Sequence, residues 1–123
     1  MQIIDPGLEF KGELTKRERT DYIVLHHADA SKCTIYDIHR WHLQRDFLGC
    51  GYHFFINKLG EIYAGRPHDT IGAHTQYYNY RSLGICCEGS YMEETQPLEQ
   101  VNAVVDLLVY LKKNFYPDAK IVG

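Results

Sequence analysis

Histidine and tyrosine are unusually frequent in this chain, with 7 and 10 copies among 123 residues. His26 and His27 end an apolar, β-branched segment that begins at Tyr22. Side chains alternate between the two faces of a strand, so only one of the pair can face a cleft. Imidazole is a common zinc ligand and a general base near neutral pH. The pair is therefore a candidate metal or catalytic site, and a hydrogen-bonded core histidine is the alternative.

Four other side chains could take part in such chemistry. Glu88 closes a second apolar segment, where it could act as a base, cap a helix or form a salt bridge. Tyr52 follows a Gly-Cys-Gly break. Its hydroxyl could donate to a developing oxyanion, and the alternative is that the side chain packs in the core. His74 shares with His68 an irregular stretch from 65 to 81. A long loop in a compact domain is usually functional, so either of these histidines could contact a ligand.

Several familiar sites are absent or disfavoured. The four cysteines form no C-x-x-C pair, which excludes the knuckle type of zinc site; we predict reduced thiols, with a Cys33–Cys50 bridge as the alternative. His39 and His42 lie three residues apart on a predicted helix, a spacing that could ligate a metal, but ordinary helix histidines are the preferred interpretation. No phosphate-binding glycine loop, G-x-S-x-G or H-E-x-x-H motif occurs.

Short apolar segments bounded by glycine and polar residues predict the strands that must position these groups. The first lies at 22–27 and reads as a central strand that is buried on both faces. The others are predicted at 52–57, 62–64 after a turn at 58–61, 83–89 and 119–122.

Two helices are predicted from apolar residues at three- and four-residue spacing. The first is capped between Ser31 and Thr34 and runs to about Arg45, with an apolar stripe of Ile35, Ile38, Trp41 and His42. The second has Pro97 in its first turn. Its predicted buried stripe is Leu98, Val101, Val104, Val105, Leu108 and Leu111.

Composition and charge exclude two classes of partner. Apolar residues make up 45% and charged residues 24%, and the net charge is −3, which argues against a basic face for nucleic acid. No apolar run reaches the roughly 18 residues that a membrane span needs.

Charged residues also interrupt any signal-peptide core near the start, at Asp5, Glu9, Lys11 and Glu13. The length fits one domain over 1–123, with 1–20 as an extended arm in which 16–19 is a solvated, charged stretch.

Five segments, taken in order, resemble one known family: YIVLHHADA, GCGYHFFINKLGEIYAGRP, GAHT, NYRSLGICCEG and QVNAVVDLLVYL. They are similar to the zinc-dependent N-acetylmuramoyl-L-alanine amidases of type 2, which share their fold with peptidoglycan recognition proteins and bacteriophage amidase lysozymes. The resemblance runs from Tyr22 to Gly123. It implies a single α/β domain with a mixed, largely parallel central sheet flanked by helices. It also implies a groove for the glycan and stem peptide of peptidoglycan, and hydrolysis of the amide between N-acetylmuramic acid and L-alanine.

The resemblance also implies roles for particular residues. His26 matches the first zinc ligand, and Tyr52 matches the residue that helps to activate water or polarise the carbonyl in the phage-like branch. Glu88 stands where another branch has its general base, so which of the two dominates is open. His74 and Asn79 match groove positions near the substrate.

The other two zinc ligands of the family follow the strand at which Ile121 and Val122 lie, and no earlier residue matches them. We therefore expect either an amidase that lacks its C-terminal part or a shortened form that binds muropeptides without hydrolysis. The presence of Tyr52 and Glu88 favours the first. An exposed sheet edge in such a chain predicts a homodimer or an exchange of elements between copies.

The missing signal and the unpaired cysteines suit a phage or prophage endolysin that is made in the cytoplasm and acts on the cell wall after release. The rival class is a non-catalytic peptidoglycan-binding module. A protein-interaction module that reuses the fold is a third class, marked by a large exposed apolar patch away from the groove.

Overall fold

The computed structural model describes residues 1–123 and contains one six-stranded sheet and two α-helices. The strands are β1 (Ile3–Ile4), β2 (Tyr22–His27), β3 (Phe54–Ile56), β4 (Ile62–Ala64), β5 (Ser82–Cys87) and β6 (Lys120–Val122). The helices are α1 (Ile35–Gln44) and α2 (Leu98–Asn114), and a 3₁₀ turn spans Asn79–Arg81. Neither α-helix has the length and hydrophobicity needed to cross a lipid bilayer.

The strands are ordered β1-β4-β3-β5-β2-β6 across the sheet. Only the β3–β4 hairpin is antiparallel, and the other neighbouring pairs are parallel. The expected mixed, largely parallel sheet in a single α/β domain is therefore confirmed. The hairpin turn forms because the side-chain oxygen of Asn57 accepts hydrogen bonds from the backbone N–H groups of Leu59 and Glu61.

The two helices cover opposite faces of the sheet. Ile85 and Cys87 of β5 belong to the hydrophobic cluster that includes Leu107 and Leu111 of α2. Cys86, which lies between them, belongs to the cluster formed with α1. Side-chain alternation along β5 thus separates an α2 side from an α1 side. All four cysteines are buried and unpaired, so the predicted free thiols are confirmed.

Helix α1 begins as predicted, at a capping box in which Thr34 and Asp37 bond each other's backbone N–H groups. Its buried residues are Ile35, Ile38 and His42. The predicted burial of Trp41 is wrong, since its side chain is 38% exposed. Each residue advances the helix by about 100°, which rotates Trp41 away from the face that His42 shares with Ile35.

The predicted buried stripe of α2 is wrong over most of its length. The residues buried against the sheet are Gln100, Ala103, Leu107 and Leu111. Leu98, Val101 and Val105 are exposed instead, and Val104 and Leu108 are only half-buried. Gln100 is inside because its side-chain amide donates to the carbonyls of Ile56 and Glu88, where β3 and β5 end. Pro97 is the N-cap rather than a residue of the first turn.

The first 20 residues contain one short strand, β1, which extends the sheet beside β4. Arg17 is buried, contrary to the expected solvated stretch, with only 9% of its surface exposed. Its guanidinium donates to the carbonyls of Thr70 and His68. A buried cation needs such partners, and these bonds fix the arm against the loop that precedes His74.

Candidate active site

The two histidines His26 and His74 meet beside Tyr52 on the α1 side of the sheet. His26 lies on β2 opposite Cys86 of β5, and side chains in register on neighbouring strands share a face. The His26 ring centre is 5.0 Å from that of His74 and 5.2 Å from that of Tyr52. The Nε2 atom of His26 is 2.9 Å from the Nδ1 atom of His74.

His74 is positioned by a hydrogen bond to its backbone and by the space that a glycine leaves for its ring. The Asn79 side-chain oxygen accepts hydrogen bonds from the backbone N–H groups of His74 and Thr75, at 2.9 and 2.8 Å. The imidazole packs over Gly84 of β5, where an added Cβ would lie 2.5 Å from the Cγ atom of His74. Asn79 and His74 were both predicted as site residues. Gly84 was not, because a glycine within a strand does not indicate which side chain it makes room for.

Hydrogen bonds assign the protons of the histidine pair. The Ser82 hydroxyl donates to the carbonyl of Tyr78, so its oxygen is left to accept from Nε2–H of His74, 3.4 Å away. The Nδ1 atom of His74 is then an acceptor for Nε2–H of His26, and the Thr75 hydroxyl lies 3.0 Å from the same Nδ1 atom. Consequently Nδ1 of His26 carries a lone pair, and it has no hydrogen-bond partner in the protein.

Burial keeps both imidazoles neutral. It lowers the pKa of His26 to about 4, with a smaller contribution from His27. It lowers the pKa of His74 to about 3, and nearby His26 adds to the effect. A neutral imidazole can accept a proton or bind a metal, whereas a charged one can do neither.

Tyr52 lines a cavity of about 470 Å³. Burial raises the pKa of Tyr52, so the hydroxyl keeps its proton at neutral pH and acts as a hydrogen-bond donor. The cavity is also lined by His42, Arg45, Phe47, Ala73, His74, Thr75, Gln76 and Asn79. Sequence reasoning missed Arg45 and Phe47. Their place in the chain, between the end of α1 and Tyr52, could have indicated that they lie near the site.

Glu88 lies elsewhere on the α1 side. One of its carboxylate oxygens accepts from the backbone N–H of Cys33 at 3.1 Å, and the other accepts from that of Lys58 at 2.8 Å. Glu88 lines a separate cavity of about 540 Å³ that has no residue in common with the cavity at Tyr52. The structure thus brings together His26, Tyr52, His74 and Asn79 without Glu88, whose role as a base stays a prediction.

The remaining histidines have structural partners. Nδ1 of His27 accepts from the backbone N–H of Tyr91 on the opposite face from His26, as strand alternation predicts. His39 and His42 accept from the backbone N–H groups of Cys50 and Gly51, which favours the helix-histidine interpretation. His68 bonds the Tyr116 hydroxyl at 2.7 Å. The ring centre of His53, the fifth, lies 5.6 Å from that of His74, but its Nδ1 accepts from the backbone N–H of Gly84 and its Nε2 lies 2.7 Å from the carbonyl oxygen of Thr70. None of the five therefore offers a third ligand to the His26–His74 pair.

The histidine pair offers one free ring nitrogen to a metal ion rather than a complete set of ligands. Nowhere in the chain do three or more His, Cys, Asp or Glu side chains converge so that they could hold a metal ion. His26 offers Nδ1, but His74 turns its own Nδ1 toward His26. A zinc site in proteins normally takes at least three protein ligands, so the side chains present do not by themselves fit a zinc ion.

The sequence profile described as N-acetylmuramoyl-L-alanine amidase matches residues 16–123. The chain therefore belongs to the N-acetylmuramoyl-L-alanine amidase family, and the resemblance inferred from its motifs is confirmed. It is 35% identical over 114 residues to the endolysin of Klebsiella phage KP32, an alignment that covers 85% of this chain and 75% of that protein. It is 31% identical over 115 residues to peptidoglycan-recognition protein LB of Drosophila melanogaster, covering 83% of this chain and 49% of the relative.

Solved structures agree in fold. The N-acetylmuramoyl-L-alanine amidase LysC from Clostridium intestinale superposes with a TM-score of 0.94 at 32% identity, over 99% of this chain and 81% of that one. Drosophila PGRP-LB superposes with a TM-score of 0.87 at 27% identity, over 99% and 81%. Enzyme relatives and recognition proteins thus share this architecture.

Proposed function

We propose that this chain hydrolyses the amide bond between N-acetylmuramic acid and L-alanine in peptidoglycan, as an endolysin-type amidase. The observation that carries the proposal is the contact of His26 with His74 and Tyr52, two residues that line one cavity. Family membership supports the amidase reaction, and the phage endolysin relatives support the cell wall as its place of action after release. We take 1–123 as one amidase domain that includes the arm at 1–20.

Amide hydrolysis needs a donor for the carbonyl oxygen and a group that can take a proton from water. Tyr52 retains its proton and can donate to the oxyanion that forms when water attacks. His26 holds a lone pair on Nδ1, and His74 fixes the direction of that lone pair through the bond to Nε2. Asn79 holds the His74 backbone in place and so supports the same geometry.

Zinc dependence is the part of the proposal that the family resemblance alone supports. If bound, zinc would supply Lewis-acid activation of the scissile carbonyl and of a water molecule. Nδ1 of His26 is the nitrogen this chain would offer to it. Since no set of three ligands forms, no step above depends on the metal.

The test is digestion of purified peptidoglycan sacculi by the full chain, with and without added zinc and after treatment with a chelator. Release of new L-alanine amino termini without new reducing sugar ends would establish the amidase reaction. Tyr52→Phe is the matched negative control. If no amino termini appear under any metal condition, the hydrolytic proposal is wrong.

The second candidate is a peptidoglycan-binding module without hydrolysis, and the incomplete ligand set favours it. Peptidoglycan recognition protein LE, whose structure holds tracheal cytotoxin, superposes with a TM-score of 0.89 at 26% identity. Co-sedimentation with sacculi in the absence of cleavage would support this candidate. Absence of both binding and cleavage would contradict the two together.

We also propose self-association through β6. This strand pairs only with β2 and leaves its other edge open, and Ile121 and Val122 on it are exposed. Open edges promote pairing with another chain. Light scattering should show dimers at high concentration, and a monomer throughout would contradict this part.

A further inference from the structure

Tyr77 has a backbone conformation that tyrosine rarely adopts. Its φ angle is +73°, and it is the third residue of a turn in which the backbone N–H of Tyr78 donates to the carbonyl of Thr75 at 3.0 Å. A positive φ at that turn position normally requires glycine or asparagine, because a bulky side chain clashes with its own backbone. The tyrosine is therefore strained.

No contact within the protein compensates for this strain. The Tyr77 side chain is 81% exposed, among the highest values for a large hydrophobic residue in the chain. Its ring packs on no other aromatic ring, and its hydroxyl bonds no protein group. Strained residues that serve no packing role tend to occur at functional sites.

The surrounding loop is fixed by the candidate active site itself. Asn79 bonds the backbone of His74 and Thr75 on one side of Tyr77. Ser82 bonds the Tyr78 carbonyl on the other side, at 2.7 Å. Because both ends of the turn are held, Tyr77 is displayed at a defined place rather than on a mobile loop.

That place is the rim of the cavity that contains Tyr52. Gln76 and Asn79, which flank the Tyr77–Tyr78 pair in sequence, both line this cavity. Thr75 also lines a second cavity of about 310 Å³, together with Tyr22, Val24 and Tyr78. Tyr77 therefore lies in the chain between Gln76 of the first cavity and Tyr78 of the second, and Thr75 lines both cavities.

Charged side chains are distributed unequally around these two cavities. Arg45 lies on the Tyr52 side, with its guanidinium 4.7 Å from the Phe47 ring centre. The segment 70–80 carries no acidic or Lys/Arg side chain and supplies three exposed tyrosines, Tyr77, Tyr78 and Tyr80. Arg81, the next residue, packs its guanidinium on the rings of Tyr22 and Tyr80 and is ion-paired with Asp21 at 2.7 Å. With that cation already paired, a ligand that contacts this rim should be neutral and flat on one face.

A pyranose ring has that chemistry, since one face presents C–H groups and the edge presents hydroxyls. Tyrosine offers a matching apolar ring with a polar tip, at little conformational cost. Stem peptides carry carboxylates, whereas the muramic acid carboxyl is already consumed in the scissile amide. We propose that Tyr77, with Tyr78 beside it, is a saccharide-binding rim that contacts a sugar ring of the glycan strand next to the scissile amide. This inference rests on the proposed function and deepens it.

The test compares wild type, Tyr77→Gly and the control Tyr110→Ala, which removes a partly exposed tyrosine from α2 on the opposite side of the sheet. Binding of tetra-N-acetylchitotetraose and of a free stem tripeptide is measured by NMR titration, and melting temperature is recorded. Tyr77→Gly should weaken tetrasaccharide binding about 2- to 10-fold, the range for one aromatic contact, and leave tripeptide binding unchanged. Its melting temperature should not fall, because glycine removes the strain. Tyr110→Ala should bind both probes as wild type does.

The inference is overturned if wild type does not bind the tetrasaccharide, if Tyr77→Gly binds it equally well, or if the variant loses only the tripeptide. Digestion of sacculi, assayed in parallel, separates this inference from the proposed function. If wild type cleaves sacculi but Tyr77→Gly binds the tetrasaccharide as tightly as wild type does, the saccharide-binding rim is wrong and the proposed function stands. Loss of saccharide binding in Tyr77→Gly supports the rim even when the sacculi are not cleaved.

Discussion

The Nε2 atom of His26 lies 2.9 Å from the Nδ1 atom of His74, although the two histidines are 48 positions apart in the chain. Since Ser82 leaves His74 as the acceptor, this bond places the His26 proton on Nε2 and the lone pair on Nδ1. A histidine that binds a metal or a proton is commonly oriented by a hydrogen bond at its other nitrogen. His74 can therefore act on the reaction through His26, in addition to its predicted contact with substrate.

Replacement of His74 separates these two roles. His74→Ala should lower kcat about 10- to 100-fold, the usual cost of losing a group that orients a reactive imidazole. His74→Asn, which keeps an acceptor near the ring nitrogen, should recover part of the loss. Rates on peptidoglycan, together with ¹⁵N shifts of the His26 ring, check this. A rise in KM alone, with the His26 tautomer unchanged, would indicate only a substrate contact.

Gly84 makes room for His74, so Gly84→Ala should displace the imidazole. An added Cβ would lie 2.5 Å from the Cγ atom of His74, and overpacking of this kind costs about 1–3 kcal/mol of unfolding free energy. Urea denaturation and peptidoglycan turnover measure the two effects. In the His74→Ala background the same alanine should be nearly neutral, since the clashing ring is gone. Equal costs in both backgrounds would show that Gly84 does not act through His74.

Much of the fold was predictable because its signals are local. The capping residue Thr34 and the apolar spacing of Ile35 and Ile38 predict α1, and β-branched, apolar runs predict β2 and β5. The position of His26 at a strand end and the order of the motifs predict the region of the site. Each of these signals depends on residues near one another in the sequence.

What could not be predicted depends on distant contacts. Helix α2 has apolar residues around much of its circumference, and its buried face is decided by Gln100, whose amide satisfies two strand-end carbonyls. The packing of the His74 ring over Gly84 and the burial of Arg17 likewise depend on partners in other segments. Sequence spacing carries no information about such partners.

Glu88 is bonded at both carboxylate oxygens by the backbone of Cys33 and Lys58. Glu88→Gln replaces one of these acceptors with a donor, which then faces an N–H group. We expect a loss of about 1–3 kcal/mol in unfolding free energy and a fall in kcat of less than 10-fold at a temperature where the variant is folded. Chemical denaturation and sacculus digestion measure both quantities, with the exposed Glu93→Gln as the control. Abolished turnover with unchanged stability would establish Glu88 as the general base.

Tyr52→Phe removes the donor hydroxyl and keeps the ring. Loss of one oxyanion donor typically lowers kcat about 100- to 1,000-fold, so we expect a fall of that size with little change in melting temperature. The measurement is the initial rate of amino-terminus release from sacculi, together with binding of the variant to the same sacculi. Retained binding with lost turnover fits a catalytic donor. Turnover within a few-fold of wild type would remove Tyr52 from the mechanism.

Acid should destabilise the protein through its buried histidines. Burial lowers the pKa of five of them, to about 4 for His26 and His42, about 3 for His74, and below the ordinary value for His53 and His68. In the unfolded chain these groups titrate near pH 6.5. Between about pH 6.5 and pH 4 the unfolded state binds more protons than the folded state, so unfolding free energy falls as the pH falls through this window. Above pH 6.5 the stabilisation is complete.

Urea midpoints at pH 7.5, 6.0 and 5.0 measure this effect. The midpoint should decrease at each step below pH 6.5 and stay nearly constant above it. Carboxylates with a lowered pKa, such as Asp37 and Glu94, contribute only at more acidic pH, because their ordinary values are 3.8 and 4.5. The variant His42→Gln removes one buried histidine and should therefore flatten the profile. A midpoint that does not change between pH 7.5 and 5.0 would show that the histidines are not buried in their neutral form.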